Sequence, residues 1–422
     1  MSYQKNIKEK VFPWGGRALA SEFPAYGSVS IVGSVVGGRR LAGNGELADI
    51  HASMLLEGTK KHDKKAIQIL LDDMGASLSF AVAGERLQFT GRVRTIYLEK
   101  LLSLIAEALI EPTFPQKELA ALKHREQAQL SLISQNTRAQ ADIHLSRILF
   151  KDDHPQWEET VDEALRALQK LTRKDLLAYH ERAIDRNSLV IGIIGDSAPQ
   201  KVFSLTEKYF KKLPERSITL PPIRLASPVA AQKIAIHIKE KASIDYMLGS
   251  SIGITAQHRD FPALLLGVNI LGNARGFTGR LMKTVREKEG LTYGVYSYLS
   301  DFDPATDGSF VVWGTFAEAL FEKGRQAIKR EVEHILKDGV TAEEVKKHRE
   351  MLAANWRVRL SNSGAIAHAA HDAVADGWPL SYLDDFPKKI LSVTPAQVTK
   401  ALKKYINPEY LSESAAGPIE RI

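Results

Sequence analysis

The chain holds 12 histidines and 50 acidic residues but no cysteine. There is therefore no thiol nucleophile, no disulfide and no Cys-ligated zinc, and metal or general-base chemistry would rest on His, Asp and Glu. His368-Ala-Ala-His371-Asp372 sets two imidazoles at i and i+3 with an acid beside the second. That is the best metal-like spacing in the chain, but no third ligand accompanies it. A motif His-x-x-Glu-His would place two imidazoles on one helix face around a zinc, with the glutamate as base. It does not occur. His237-Ile-Lys-Glu-Lys241 comes closest and lacks the second histidine. The glycine-rich stretch Gly272 to Gly279 is not followed by Gly-Lys-Ser/Thr, so it is no phosphate loop. It reads either as a turn or as a substrate-contacting loop.

The elements that would carry these residues come in two similar sets. Lys123-His124-Arg125-Glu126 recurs as Lys347-His348-Arg349-Glu350, each after an acidic helix start. Thr172 and Thr394 follow in the same order at nearly the same offset, each a plausible N-cap. Hydrophobic periodicity predicts strands at Val29–Val36, Ser77–Phe80, Leu87–Val93 and Leu189–Ile194. It predicts helices at Ala48–Leu56, Lys64–Met74, Leu98–Ile110 and Lys117–Ser134. The second half repeats the order, with strands near Met247–Ile254, Thr292–Leu299 and Gly308–Thr315. Its helices are expected at Phe261–Leu271 and Arg280–Glu289, then in a long C-terminal series. The pattern implies an α+β fold of two homologous halves, each an antiparallel-type sheet packed with helices. Four prolines between Leu213 and Gln232 mark a linker. The expected division is 1–215, a linker at 216–229, and 230–422.

The 422 residues are 44% hydrophobic and 25% charged, a globular balance with net charge +7. Basic and acidic residues are interspersed. The densest basic run, Lys60-Lys61-His62-Asp63-Lys64-Lys65, is short and interrupted, so nucleic acid is not an expected partner. No apolar run is long enough for a membrane span, and Met1 to Pro13 lacks the apolar core of a secretory signal. A cytoplasmic location is expected, or a periplasmic one if a signal was removed before this numbering.

The segment from Gly272 through Gly279-Arg280-Leu281, Arg286-Glu287 and Gly290-Leu291-Thr-Tyr293 resembles the C-terminal signature of the pitrilysin-type (M16) metallopeptidases. Leu171 to Asp196 is similar to the end of that family's first half. The resemblance implies a fold forming half of a clam-shell chamber. It also implies an active-site helix bearing His-x-x-Glu-His, usually followed by Met-Leu-x-x-Gly-Thr. Here the tail survives as Met54-Leu55-Leu56-Glu57-Gly58-Thr59, which places Asp49, Ala52 and Ser53 at the histidine, glutamate and histidine positions. The distal glutamate ligand would fall near Gln129, and the nearest acid, Glu126, is about one turn off. His51 lies roughly 200° around the helix from Asp49 and does not restore the set.

By this resemblance the chain has no catalytic or metal-ligating residues of its own, and Arg286 and Tyr293 are its substrate-binding pair. The function implied is a non-catalytic, substrate-binding subunit of a heterodimeric M16 zinc metallopeptidase acting on unfolded peptides. Zinc would sit in a catalytic partner with intact His-x-x-Glu-His, and no activity is expected from this chain alone. The alternatives are a structural subunit of a larger complex and a homodimeric peptide-binding protein.

Overall fold

The computed structural model describes residues 2–220, 222–273, 278–300, 302 and 305–422. The strands are β1 (Lys8–Val11), β2 (Arg17–Glu22), β3 (Ser28–Val36), β4 (Ser77–Ala83), β5 (Arg86–Arg94), β6 (Val190–Gly195), β7 (Lys233–His237), β8 (Ile244–Thr255), β9 (Gly294–Ser300), β10 (Asp307–Phe316) and β11 (Ser412–Gly417). The helices of the first half are α1 (Tyr3–Asn6), α2 (Arg39–Ala42), α3 (Gly45–Met54), α4 (Lys64–Met74), α5 (Leu98–Ile110), α6 (Gln116–Ser134), α7 (Thr137–Leu149), α8 (Val161–Lys170), α9 (Arg173–Ala183) and α10 (Pro199–Phe210). Those of the second half are α11 (Phe261–Leu271), α12 (Phe321–Asp338), α13 (Ala342–Arg359), α14 (Ser363–Ala375), α15 (Tyr382–Leu391) and α16 (Pro395–Tyr405).

The two sheets have the same plan. The first runs β1-β2-β6-β3-β5-β4 and the second β7-β11-β8-β10-β9. In each, one pair is parallel (β2 with β6, β7 with β11) and the other corresponding pairs are antiparallel. Local signals repeat too. Thr172 and Thr394 each close a reciprocal capping box, with Asp175 and Gln397 as partners. Asn136 and Asn362 each cap a 13-residue helix, α7 and α14. Gly195 and Gly417 end β6 and β11 at φ 150° and 149°. A Cβ would lie 2.4 Å from the Ser28 carbonyl oxygen at Gly195 and 2.8 Å from that of Ser243 at Gly417. The expected α+β duplication is thus observed.

The chain forms two compact units that each draw on both halves. The first comprises residues 1–128, 162–221 and 356–385, the second residues 129–161, 222–355 and 386–422. Helix α14 therefore packs on the first sheet. Gly192 of β6 lets it approach closely, since a Cβ there would be 3.2 Å from the Ala367 carbonyl oxygen. Around it Leu19, Val32, Val190, Ile194, Ile366 and Ala370 form a buried cluster. Each Leu, Val or Ile side chain here contributes roughly 1.5–3 kcal/mol when fully buried. Helix α7 covers the second sheet in the same way, with Ala141, Leu145 and Leu149 against Met247, Val311 and Ala416. The stretch from 214 to 232 has no helix or strand among the described residues. It is nonetheless tied down: Arg216 N–H donates to Asp185 (3.0 Å) within the first unit, and Ala226 N–H to Asp307 (3.0 Å) within the second. Among the described residues no helix is long and apolar enough to cross a membrane.

Candidate functional site

Helix α3 starts where Asn44 accepts a hydrogen bond from Leu47 N–H at 2.8 Å. Its buried face carries Ile50, His51, Ala52 and Met54. Asp49 and Ser53, one turn apart, lie on the open side: Asp49 is half-exposed and Ser53 exposed. Asp49 is joined by Arg39 of α2 at 3.1 Å. His51 is fully buried and turned the opposite way. Its Nε2 shares a 2.9 Å hydrogen bond with Nδ1 of His180 on α9, and its ring packs edge-on to Tyr179. Burial holds His51 well below the ordinary histidine value, and lowers His180 to about 4, so both are neutral at pH 7. The pair spans 129 residues of sequence, and no spacing signal announces it.

The segment after α3 is scaffolding. Met54 and Leu55 are fully buried. Thr59 Oγ1 and His62 Nδ1 (2.8 Å) both meet the Glu107 carboxylate on α5. Lys64 bridges Glu57 (2.6 Å) and Glu118 (2.9 Å). On α6, Gln129 is exposed and Glu126 half-buried.

In the second unit, Arg280 clamps Glu344 of α13 through two bonds of 2.7 and 2.8 Å, and donates to the Gly339 carbonyl at 2.8 Å. Burial pushes the Glu344 carboxyl up, but Arg280 and the Thr341 N–H outweigh it and leave it at about 2. From this anchor the chain enters a π-helical segment, Met282–Lys288, where an α-helix is expected from the sequence. Arg286 sits on it, half-buried, while Met282 and Val285 reach the core. A π-turn adds a residue per hydrogen-bonded ring and re-aims the side chains that follow. Glu289 is paired with Arg330. After Gly290, at φ 63°, Tyr293 stands 92% exposed, just before β9 begins at Gly294. Tyr293 is therefore not packed within a strand. Of the glycine-rich stretch, 274–277 lie outside the described residues. Its ends are set by close backbone approach: a Cβ on Gly272 would be 2.6 Å from Ser297 N, and one on Gly279 2.7 Å from Gly272 Cα.

The His368/His371 pair resolves differently from a metal site. His371 Nε2 is 2.8 Å from Ser34 Oγ on β3, and its Nδ1 is 2.9 Å from Asp372. Arg86 Nε donates to the same Ser34 Oγ at 2.6 Å. The Asp372 carboxylate only accepts, so Nδ1 carries the hydrogen of the neutral ring, and Nε2 then accepts from the Ser34 hydroxyl, whose oxygen accepts from Arg86. This is the order of a serine–histidine–aspartate triad, but Ser34 is 0% and His371 1% exposed. With no route for a substrate, the chain of bonds serves to seat α14.

With the geometry in hand, comparison with known proteins decides the family. The model for "Insulinase (Peptidase family M16)" matches residues 32–156, and that for "Peptidase M16 inactive domain" matches 170–352. The chain belongs to the M16 metallopeptidase family. A solved M16 inactive domain from Pseudomonas fluorescens superposes with a TM-score of 0.89 at 26% identity, covering 98% of this chain and 99% of that one. A "non-peptidase homolog" of Helicobacter pylori is 22% identical, covering 85% of this chain and 81% of its own. A "probable inactive metalloprotease" of Bacillus subtilis is 23% identical, over 83% of this chain and 84% of its own.

Asp49, Ala52 and Ser53, the positions that the sequence resemblance sets against the zinc motif, carry a donor set that does not fit zinc. One carboxylate is engaged by Arg39, the base position is a buried methyl, and the second ligand position is a hydroxyl. Among the described residues, no group of three His, Asp or Glu could hold a metal ion.

Proposed function

We propose that this chain is a non-catalytic, substrate-binding subunit of a heterodimeric M16 zinc metallopeptidase that degrades or processes unfolded peptides. The reading rests on one contrast. The three zinc-motif positions carry Asp49, Ala52 and Ser53, while Tyr293 stands free of the core seven residues after Arg286. Arginine offers a rigid fork of donors to a carbonyl or carboxylate. A tyrosine hydroxyl can donate to a peptide carbonyl oxygen as charge develops on it. In this scheme the catalytic subunit supplies His-x-x-Glu-His and zinc, and this chain supplies the grip. The names of the two bacterial relatives agree with loss of peptidase chemistry.

Reconstitution tests it. Purified alone, the chain is expected to cleave no peptide in a zinc-dependent way; mixed with a catalytic M16 subunit, it is expected to restore cleavage. Arg286→Ala and Tyr293→Phe should each lower kcat/KM of the pair by about tenfold to a hundredfold. Zinc-dependent cleavage by the chain alone would sink the proposal, and full activity of the Arg286→Ala pair would remove the substrate role.

A further inference from the structure

The two sheets share a plan but not an edge. In the first, Arg17 N–H and Phe23 N–H point to β6, donating to Leu189 (2.8 Å) and Gly195 (3.0 Å). The residues between alternate outward, and β1 covers them: Ala18 pairs with Lys10 and Ala20 with Lys8, antiparallel. In the second sheet Ile238 N–H donates to the Gly417 carbonyl at 2.8 Å, the counterpart of the Phe23–Gly195 bond. Counting back from these bonds aligns Ala18 with Lys233 and Ala20 with Ala235. The Gln232 carbonyl accepts from Glu413 N–H at 2.8 Å, so even-numbered residues of β7 face β11. Lys233, Ala235 and His237 therefore turn their backbone N–H and C=O groups away from the sheet. Among the described residues β7 pairs with β11 alone, and it ends its sheet. Among the described residues of the second unit, no strand takes the place of β1.

An open edge is a template for another chain. Its charge narrows the choice. Lys233 and His237 are exposed on it, and Lys239 and Lys241 follow in the turn, against two acids, Glu240 and Glu420, the latter 3.2 Å from His237 Nδ1. Glu413 beneath is held by Arg325 and Lys329, both at 2.6 Å, with Lys233 itself farther off at 3.7 Å, so the edge keeps an excess of positive charge. A second copy of this chain offering its own β1, Lys8-Glu9-Lys10-Val11, would set lysine against lysine. We propose that β7 is a docking edge for an extended acidic segment of a partner polypeptide, which adds antiparallel as β1 adds to β2. This edge is separate from Arg286 and Tyr293, and the proposal stands or falls independently of them.

Proline at position 235 gives a clean test. It removes only an outward N–H, which an edge strand tolerates, whereas Ile234→Pro removes an inward one. The probe is a fluorescein-labelled octapeptide of alternating Glu and Val, with a Lys/Val octapeptide as control, titrated into the full chain by anisotropy. The Glu/Val peptide is expected to bind and the Lys/Val peptide at least about tenfold more weakly. Ala235→Pro should keep the melting temperature near wild type and lose at least about tenfold in affinity, while Ile234→Pro should lower the melting temperature. Unchanged binding by a folded Ala235→Pro variant overturns the docking edge. Equal binding of the two peptides overturns its preference for acids. Self-association that Ala235→Pro abolishes in sedimentation assigns the edge to a second copy and overturns the proposed occupant.

Discussion

The two units carry different chemistry at matching places. The seventh residue after the start of α9 is His180, and the seventh after the start of α16 is Leu402. His180 hydrogen-bonds to His51 of α3, whereas Leu402 lies on the bare backbone of Gly267 in α11, where a Cβ would be 2.7 Å from its Cγ. The eighth residue after the start of α14 is His371, and of α7 Leu145. His371 bonds to Ser34, while Leu145 meets Gly249, where a Cβ would be 3.2 Å from its Cδ2. In the first unit these helix contacts are directional hydrogen bonds; in the second they are apolar side chains over glycine. Duplication preserved strand order, caps and close-approach glycines, and left the contact chemistry free to diverge. Buried hydrogen bonds contribute only about 1 kcal/mol net each, but they are costly to leave half-made. The first unit thus gains registration of α3 and α14 rather than extra stability.

Three experiments probe how far the two units agree. The largest effect should come from the shared skeleton. Gly195→Ala and Gly417→Ala each drive a Cβ into a backbone carbonyl, and each is expected to cost about 2–3 kcal/mol or more in denaturant unfolding. A strong loss in only one would show that the two sheet ends are not equivalent. Next comes pH. His180 is neutral when folded, with its value lowered to about 4 by burial, and titrates near 6.5 when unfolded. The unfolded chain therefore binds more protons between these values, so stability is fully present above about pH 6.5 and declines as pH falls toward 4. Replacing the pair with the second unit's residues, His51→Gly with His180→Leu, should flatten that decline in melting temperature, whatever it does to stability at pH 7. A slope identical to wild type would mean that the imidazole pair does not govern it. The smallest effect belongs to the caps: Thr172→Ala and Thr394→Ala should each cost about 1 kcal/mol and match within error.

Much of this was legible in sequence, for identifiable reasons. Lys64–Met74, Leu98–Ile110 and Phe261–Leu271 are read to the residue, because apolar periodicity coincides with a cap, a proline or a glycine at the ends. Strand β11, Ser412-Glu-Ser-Ala-Ala-Gly417, is invisible to such reasoning. It has no β-branched or large apolar residue and is a strand because β7 and β8 flank it. Strands β1 and β2 each carry a single large apolar or β-branched residue, Val11 and Leu19, and β7, though Ile234 and Ile236 alternate, is only five residues long. The absence of His-x-x-Glu-His is legible at once, and the stretch Met54-Leu55 to Gly58-Thr59 is held by core packing and by Glu107. The bonds from His51 to His180 and from His371 to Ser34 were not legible, since each joins residues more than a hundred positions apart. The π-turn beneath Arg286 was read as an ordinary helix, because periodicity does not separate one extra residue per turn from regular α spacing.

The exchange of helices between halves bears on how the protein is made. Until α14 leaves the ribosome, Val32, Val190 and Ile194 on the first sheet lack their cover. Synthesis of the stretch from β6 to Ala375 takes on the order of 10–30 s at common elongation rates. For that interval the first sheet presents an apolar face to the cytosol or to a chaperone. Made without residues 356–385, the first half would keep that face uncovered, so neither half of the chain is expected to mature without the other.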